Sequence, residues 1–216
     1  MLLALRDCFW RGGTLRNRCM KNIRLSLGAA LALVCAAAIV TQAADAAGKR
    51  VSLFDGKSLA GWTLVTCEAC VDNGDMFIKE GNGLVQTARK YGDFVFEFEW
   101  KALKSEKWDS GIYFRYDTIP PKRPWPARYQ ANLRQGDEGN VGGLKGAKSQ
   151  GLIKPGEWNC FKLTVRGTQA ALEINGKPAW KADGLEGPKE GYIGVQAEVP
   201  GGGQHRFRNI YITELK

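Results

Sequence analysis

The chain has 216 residues, of which 31 are Lys or Arg and 22 are Asp or Glu, so its formal net charge is +9. The basic residues are scattered along the sequence, which argues against the concentrated positive surface of a nucleic-acid-binding protein. His205 is the single histidine and there is one C-x-x-C motif, a set too small for a conventional zinc site.

Residues 1–46 are predicted to be an over-extended N-terminus followed by a signal peptide, with Met20 as the expected start. Lys21 and Arg24 form a basic region, 25–40 an apolar run and 41–46 a small-residue cleavage site. The apolar run of about 16 residues is shorter than the roughly 20 of a spanning helix, although an uncleaved anchor is the alternative. We therefore expect an exported protein, periplasmic or extracellular, with no membrane attachment after cleavage. Without residues 1–46 the chain keeps 25 basic and 20 acidic residues.

Residues 47–216 are expected to form one all-β domain, because short alternating segments recur between turns and no convincing amphipathic helix is present. The turn at Asn175–Lys177 (NGK) is a strong hairpin signal. The predicted strands are 51–54, 62–66, 76–79, 83–86, 93–101, 111–116, 128–133, 158–166, 169–174, 178–181, 191–196 and 206–214.

Several of these strands are apolar on one face and polar on the other. In 93–101, aromatic residues occupy every second position from Phe94 to Trp100, and Glu97 and Glu99 lie on the opposite face. Two antiparallel sheets packed through their apolar faces would bury such strands. The sequence therefore predicts a two-sheet antiparallel β-sandwich, with 134–156 as long loops.

The segment 109–116 (DSGIYFRY) places an arginine among aromatic residues. Strict alternation puts Ile112, Phe114 and Tyr116 on one face and Arg115 on the other. A guanidinium must be hydrated or paired. Arg115 therefore either lies on a solvated face or points into a polar groove that holds a ligand.

Three cysteines remain after residue 46. Cys67 and Cys70 (CEAC) are predicted to close a local disulfide, with Cys160 free. Unpaired thiols are one alternative, and metal or redox chemistry at CEAC is another.

Seven motifs occur in the order seen in the 3-keto-disaccharide hydrolase domain family, which residues 51–216 resemble. They are LFDGKSLAGW (53–62), YGDFVFEFEWK (91–101), DSGIYFR (109–115), PGEWN (155–159), INGK (174–177), GYIGVQ (191–196) and FRNIYITEL (207–215).

The resemblance implies a concanavalin-like lectin/glucanase jelly roll whose concave sheet holds sugar, in an exported protein that cleaves glycosides already oxidised at C3. A ketone at C3 acidifies the C2 proton, so that a base removes it and the C1 substituent leaves by elimination. Such a route needs a base, an acid and a group that stabilises the enolate. A divalent metal is one such group. The resemblance implies a carbohydrate ligand and no organic cofactor, and it leaves the metal and the oligomeric state open.

A candidate site follows from the polar strand faces and the resemblance. Its proposed catalytic residues are Glu97, Glu99, Arg115 and Glu198, and its proposed substrate-binding residues are Asp109, Tyr113, Trp125, Gln130, Asn132 and Gln196. The glutamates would supply acid or base, and Arg115 would hold a carbonyl or enolate oxygen. Trp125 would stack on a sugar ring.

The sequence departs from the family pattern at three positions of this site. Asp109 stands where the family usually has Asn, Gln130 where it has Glu, and Glu198 where many members have His. An amide cannot act as a general base, so a non-catalytic carbohydrate-binding or structural module is the alternative to an enzyme. His205, beside a glycine-rich turn, is expected at the surface.

Overall fold

The computed structural model describes residues 48–199 and 204–216, and these contain eleven strands and no helix. The predicted signal peptide and start lie outside the described residues. The strands are β1 (Val51–Ser52), β2 (Trp62–Asp72), β3 (Asp75–Thr87), β4 (Phe94–Ala102), β5 (Gly111–Tyr116), β6 (Gln130–Asn132), β7 (Asn159–Arg166), β8 (Gln169–Ile174), β9 (Lys177–Asp183), β10 (Tyr192–Val199) and β11 (His205–Glu214). The all-β prediction is confirmed. None of the described residues belongs to a helix that could cross a membrane.

The strands form two groups that meet at β3. A front sheet has the order β6-β5-β10-β3-β2, and a back sheet has the order β1-β11-β4-β7-β8-β9. All pairings are antiparallel, and β3 pairs with β10 through residues 81–86 and with β11 at residues 76–77. Where the sequence predicted two short strands, β3 is one strand of 13 residues. Hydrogen bonding is therefore continuous through β3, and the front and back sheets are the two halves of one curled sheet. The sequence had predicted two separate sheets.

The core lies between the apolar faces of the two groups. One cluster of buried side chains takes Phe96 and Phe98 from β4, Leu163 from β7, and Ile112 and Val195 from the front sheet. The predicted alternation of β4 is confirmed, because its aromatic residues are buried and the residues between them are partly exposed. Burial of these aromatic rings is the main stabilising contribution of the back sheet.

The long loop between β6 and β7 covers one end of the curled sheet. Its Gly139 backbone lies against Leu172 and Ile174 of β8, so close that an added Cβ would come within 2.8 Å of the Ile174 Cδ1. The Gly139 carbonyl also accepts a hydrogen bond from the Trp180 indole at 2.8 Å. The loop thus links the edge strand β6 to the opposite edge of the sheet.

The Cys67–Cys70 disulfide prediction is wrong: both thiols are free, and both lie within β2. Residues three apart in an extended strand have Cα atoms roughly 10 Å apart, which exceeds the 4.4–6.8 Å of a disulfide. The sequence suggested a loop at CEAC, whereas β2 continues through it and pairs Cys70 with Phe77.

The expectation of a surface His205 is also wrong. Its side chain is 2% exposed and packs between the rings of Trp100 and Phe207, at centroid distances of 5.6 and 6.2 Å. Its Nε2 has no hydrogen-bond partner among the described residues. Burial lowers the pKa of His205 to about 3. The imidazole is therefore a neutral core side chain.

Candidate functional site

The face of the front sheet that points away from the core gathers most of the predicted polar residues. Tyr113 of β5 pairs with Gly194 of β10 on one side and with Gln130 of β6 on the other. Because Ile112 and Val195 point into the core, their neighbours on each strand point outward. Tyr113, Gln130 and Gln196 therefore share this front face.

Two glycines make room for side chains on the front face. A Cβ at Gly111 would lie 2.1 Å from the Gln130 Nε2, and one at Gly194 would lie 2.6 Å from the Tyr116 hydroxyl. The Gln130 amide therefore lies directly over the Gly111 backbone, and the Tyr116 hydroxyl lies directly over the Gly194 backbone. Glycine inside a strand often marks such a close approach.

An aromatic patch forms one end of the front face. Leu84, Tyr113 and Tyr116 are a separate buried cluster, with Trp125 and Tyr192 packed against it. The Tyr116 ring lies 6.4 Å from that of Tyr113 and 5.9 Å from that of Tyr192. Its hydroxyl donates to the Gln86 Oε1 at 2.8 Å. The patch offers ring faces and edges of the kind that sugars contact.

Tyr113 combines a buried ring with a hydroxyl that bonds to no described residue. Its side chain is 5% exposed, and burial raises the pKa of Tyr113 well above its ordinary value. The charges of Glu198 and Asp109 raise this pKa further, whereas Arg123 lowers it. The phenol therefore stays protonated and can donate a hydrogen bond to a ligand oxygen.

A row of amides leads to the carboxylate of Glu198. The Gln130 Nε2 donates to the Gln196 Oε1, and the Gln196 Nε2 donates to the Glu198 Oε2 at 2.8 Å. Gln196 is 3% exposed, so its amide is fixed by these two bonds. The row orients one oxygen of Glu198 and leaves the other for a ligand.

Asp109 lies just before β5, close enough to Glu198 for the two charges to interact. Burial raises the pKa of Asp109 to about 6, and the charges of Glu198 and Asp137 act in the same direction, while Arg134 opposes them. Asp109 also borders a cavity of about 320 Å³ that is lined by Trp108 and Arg134. Near neutral pH this carboxyl can both hold and release a proton.

Asn132 lies at the margin of the front face. It pairs with Gly111, and its Oδ1 accepts a hydrogen bond from the Arg134 N–H at 2.6 Å. It also lines an open cavity of about 550 Å³ formed with the loop residues 137–148. Its side chain is therefore engaged in shaping this loop.

The structure removes Arg115 from the front face, contrary to the predicted groove role. Arg115 has a φ of +54°, in the left-handed region, and the register between β5 and β10 shifts at this point. The bulge turns Tyr116 to the same side as Tyr113, whereas alternation predicted opposite sides. It also buries the guanidinium, which donates to Asp93 Oδ1 at 2.6 Å and to the carbonyl oxygens of Gly92 and Pro188.

Glu97 and Glu99 lie on the back sheet, not beside Asp109. The prediction assumed that β4 and β5 are neighbours, but β10, β3 and β11 lie between them. Glu97 accepts a hydrogen bond from the Arg50 Nε at 2.7 Å, and Glu99 from the Arg208 Nε at 2.7 Å. Both glutamates serve in surface ion pairs, remote from Glu198.

The described residues contain no group of three or more His, Cys, Asp or Glu side chains arranged to hold a metal. Three larger open cavities lie away from the carboxyl pair: the one beside Asn132, one of about 460 Å³ over β7–β9, and one of about 450 Å³ beside Arg208 and Asn209. None of these three includes Asp109 or Glu198. We place the candidate site at the front face because acid-base groups converge there.

Several residues of this site escaped the sequence analysis. Gly111 and Gly194 do carry a sequence signal, because glycine inside a strand often marks a close approach. Strict alternation placed Tyr116 on the face of Ile112, because no glycine in the sequence marks the bulge at Arg115. Gln204, whose side chain contacts the backbone of both carboxyl-bearing residues, carries no local signal.

Comparisons with known proteins agree with this fold. The profile of the 3-keto-alpha-glucoside-1,2-lyase-like domain matches residues 49–213. A structure named "Putative glycosyl hydrolase", from Parabacteroides distasonis, is 20% identical, with a TM-score of 0.61 over 78% of this chain and 100% of that one. A carbohydrate-binding module from Bacillus subtilis is 16% identical, with a TM-score of 0.53 over 69% of this chain and 93% of that one. No protein of curated function matches the sequence. At these identities the two structures show a shared fold.

Proposed function

Because the chain belongs to the 3-keto-alpha-glucoside-1,2-lyase-like domain family, we propose that it is an exported enzyme that cleaves glycosides oxidised to the ketone at C3. Export is inferred from the signal-like sequence of residues 20–46. The substrate class comes from the family and from the groups on the front face. The fold alone would fit many activities.

The observation that carries the proposal is the pair formed by Asp109 and Glu198. The two carboxyl groups lie on one face of the front sheet, and the charge of Glu198 acts on Asp109. Burial and the charge of Glu198 keep Asp109 protonated to about pH 6, so the two carboxyl groups divide the roles of acid and base. Asp109 is assigned the proton donor and Glu198 the base.

The proposed reaction is an elimination followed by hydration. Glu198 takes the C2 proton, and the electron pair of the C–H bond forms an enolate with the C3 oxygen. The enolate collapses to a C1=C2 double bond and expels the C1 oxygen, which receives the proton of Asp109. In the hydration step Asp109 takes a proton from water as the water oxygen bonds to C1, and Glu198 returns its proton to C2. Both carboxyl groups recover their starting states, and the 3-keto sugar is released. The C2 proton is acidic because of the ketone, so no strongly basic residue is required.

Tyr113 is assigned the stabilisation of the enolate, in place of Arg115. Its hydroxyl bonds to no described residue, and its raised pKa keeps it protonated. A phenol O–H that meets a developing oxyanion in a half-buried site lowers the barrier by roughly 2–4 kcal/mol. Trp125 and Tyr116 supply aromatic surface for the sugar ring. The steps above use side chains of this chain alone.

The test is turnover of a 3-keto-disaccharide by the purified protein, with and without added divalent metal, followed as release of product sugar. Wild-type protein is expected to turn over. Glu198→Gln and Asp109→Asn are each expected to lower kcat at least a hundredfold. Glu97→Gln, on the back sheet, is the matched control and is expected to keep full activity. Absence of turnover by well-folded wild-type protein in both conditions would reject the proposal for this substrate class.

A non-catalytic carbohydrate-binding module is the second candidate, and the state of Gln130 favours it. Its amide is tied to Gln196 and cannot serve as a base. The similar fold of a carbohydrate-binding module also supports this alternative. Saturable binding of 3-keto or unmodified sugars, unchanged in Glu198→Gln and without cleavage by the wild type, would select this alternative.

A further inference from the structure

The side-chain amide of Gln204 lies between the backbones of Asp109 and Glu198. Its Oε1 accepts a hydrogen bond from the Asp109 N–H at 2.9 Å, and its Nε2 donates to the Glu198 carbonyl at 3.1 Å. Gln204 is 7% exposed, and its own carbonyl accepts a bond from the Leu103 N–H at 2.7 Å. The amide is thus fixed at both ends.

The register of β5 and β10 explains what this amide replaces. Ile112 pairs with Val195, and continuing that register three residues outward places Asp109 opposite Glu198. In a regular antiparallel pair the Asp109 N–H and the Glu198 carbonyl would bond directly. The Gln204 amide takes the place of that bond, offering one acceptor and one donor as a peptide group does.

A second contact shows that the strands separate at this end. The Ser110 hydroxyl donates to the Gln196 carbonyl at 2.7 Å, so a side chain again completes the bonding of a strand carbonyl. Like charges directly opposite on neighbouring strands lie about 5 Å apart and destabilise the pair. An inserted amide increases this separation and still gives the Asp109 N–H and the Glu198 carbonyl a hydrogen-bond partner.

We propose that Gln204 is a positioning residue that sets the distance between the Asp109 and Glu198 carboxyl groups by acting as a spacer between their strands. The distance between the two carboxyl groups decides which groups of a sugar both residues can reach. Its importance for catalysis therefore rests on the proposed function. The spacer role itself is a property of the free protein.

The spacer predicts how the two carboxyl groups titrate when it is removed. In Gln204→Ala the Asp109 N–H and the Glu198 carbonyl close toward a direct bond, and the carboxyl groups approach. For two unit charges at an effective dielectric constant of about 20, an approach from about 8 to about 5 Å would raise the titration midpoint of Asp109 by about one pH unit. In Glu198→Gln that increase disappears, because the facing charge is gone. Arg134 and Asp137, which also face Asp109, are unchanged in these variants.

The experiment is a carbon-13 NMR titration of aspartate-labelled full-length protein without substrate. Wild type, Gln204→Ala, and both proteins carrying Glu198→Gln are compared. Gln135→Ala is the matched control, since the Gln135 Oε1 also accepts a backbone N–H, from Lys107 at 2.6 Å. The expected result is an Asp109 midpoint raised in Gln204→Ala and unchanged in Gln135→Ala. An Asp109 midpoint that does not move in Gln204→Ala overturns the proposal.

Gln204→Asn keeps the experiment decisive if the alanine variant fails to fold. Its amide is one methylene shorter and cannot bridge both strands, so the same rise is expected, and an unchanged midpoint again overturns the spacer role. In the activity assay Gln204→Ala is expected to lower kcat about tenfold or more with little change in KM. If wild-type protein does not turn over 3-keto-disaccharides, the proposed function fails, and the titration still decides the role of Gln204.

Discussion

The buried guanidinium of Arg115 donates to the carboxylate of Asp93 at 2.6 Å, and this pair ties the bulge of β5 to the residue before β4. Asp93 also accepts a hydrogen bond from the Gly167 N–H at 2.9 Å, in the turn between β7 and β8. One ion pair therefore connects the front sheet to two points of the back sheet. Arg115 is a structural residue at the end of the site and not part of its face.

Arg115→Met is expected to destabilise the protein by about 2–4 kcal/mol, because it leaves Asp93 without its buried partner and two backbone carbonyls without a donor. Activity or sugar binding per folded molecule is expected to stay within a few-fold of wild type. Urea denaturation measures the first quantity. The control is Arg128→Met, which removes an exposed pair with Glu186 and should cost less than about 1 kcal/mol. If Arg115→Met kept its stability but lost its activity, Arg115 would have to act in the site and not in the fold.

The sequence predicted the faces of regular strands well and failed where a strand is irregular. Alternation from Phe94 to Trp100 correctly gave the core face of β4, since nothing interrupts the pleat there. In β5 the same rule misplaced Tyr116, because a bulge moves every later side chain to the other face. The positive φ of Arg115 that forms the bulge is held by tertiary contacts, which local sequence does not encode.

The sequence predicted part of the candidate site correctly and failed where it assumed which strands are neighbours. Tyr113, Gln130, Gln196 and Glu198 converge because β5 lies between β6 and β10. Glu97 and Glu99 were added because β4 precedes β5 in sequence. Sequence neighbours need not be sheet neighbours, and three strands separate these two. The contribution of Gln204 depends on a side chain reaching between two strands, which no periodicity reports.

Asp109→Asn is expected to stabilise the protein at neutral pH. The pKa of Asp109 is raised from 3.8 to about 6, so the folded state holds this proton more tightly than the unfolded state does. The folded protein therefore loses stability as pH rises from about 4 to 6 and stays at the lower level above that. A pKa shift of this size corresponds to a loss of at most roughly 3 kcal/mol of folding free energy when Asp109 ionises. Because the carboxyl group is partly solvated, the expected gain of Asp109→Asn at pH 7.5 is about 1–2 kcal/mol.

Urea denaturation at pH 4 and pH 7.5 measures this gain. Asp117→Asn, which removes an exposed pair with Lys90, is the control and should change stability by less than about 1 kcal/mol at either pH. A loss of stability at pH 7.5 in Asp109→Asn would show that its carboxylate is favourably bonded in the fold.

The proposed role of Asp109 as proton donor also predicts the alkaline limb of the activity profile. If the protonated carboxyl is required, kcat/KM falls about tenfold per pH unit above about pH 6. The measurement is turnover of a 3-keto-disaccharide between pH 4.5 and 8.5. Asp137→Asn removes one of the charges that raise this pKa, and it should move the limb slightly toward lower pH. A flat profile across this range would assign the proton to another group.

Gly111→Ala is expected to weaken sugar binding about tenfold while leaving the fold intact. The new Cβ would lie 2.1 Å from the Gln130 Nε2, so the amide must leave its place on the front face and its bond to Gln196. Glu198 then loses the amide row that orients it. Isothermal titration with a 3-keto-disaccharide measures the effect in the Asp109→Asn background, in which cleavage is expected to be suppressed. Gly92→Ala is the control, because its Cβ would meet its nearest neighbour at 3.7 Å, an ordinary contact.

His205→Phe is expected to reduce the acid sensitivity of the protein. Burial lowers the pKa of His205 from 6.5 to about 3, so below pH 6.5 the unfolded chain takes up a proton that the folded core refuses. Stability therefore falls with decreasing pH, by up to about 1.4 kcal/mol per unit between pH 6 and 4. Phenylalanine fits among Trp100 and Phe207 and removes a buried nitrogen without a described partner.

His205 makes the free energy of unfolding rise with pH, whereas Asp109 makes it fall. The two effects overlap between pH 4 and 6. The comparison is therefore made in the Asp109→Asn background. This background removes the contribution of Asp109 to the pH dependence of stability and keeps that of His205. The difference between the urea midpoints of Asp109→Asn and of the double variant with His205→Phe is expected to be smallest at pH 7 and to grow steadily as pH falls. Parallel midpoints across pH 4–7 would mean that His205 becomes protonated in the folded state, with a partner for its Nε2 outside the described residues.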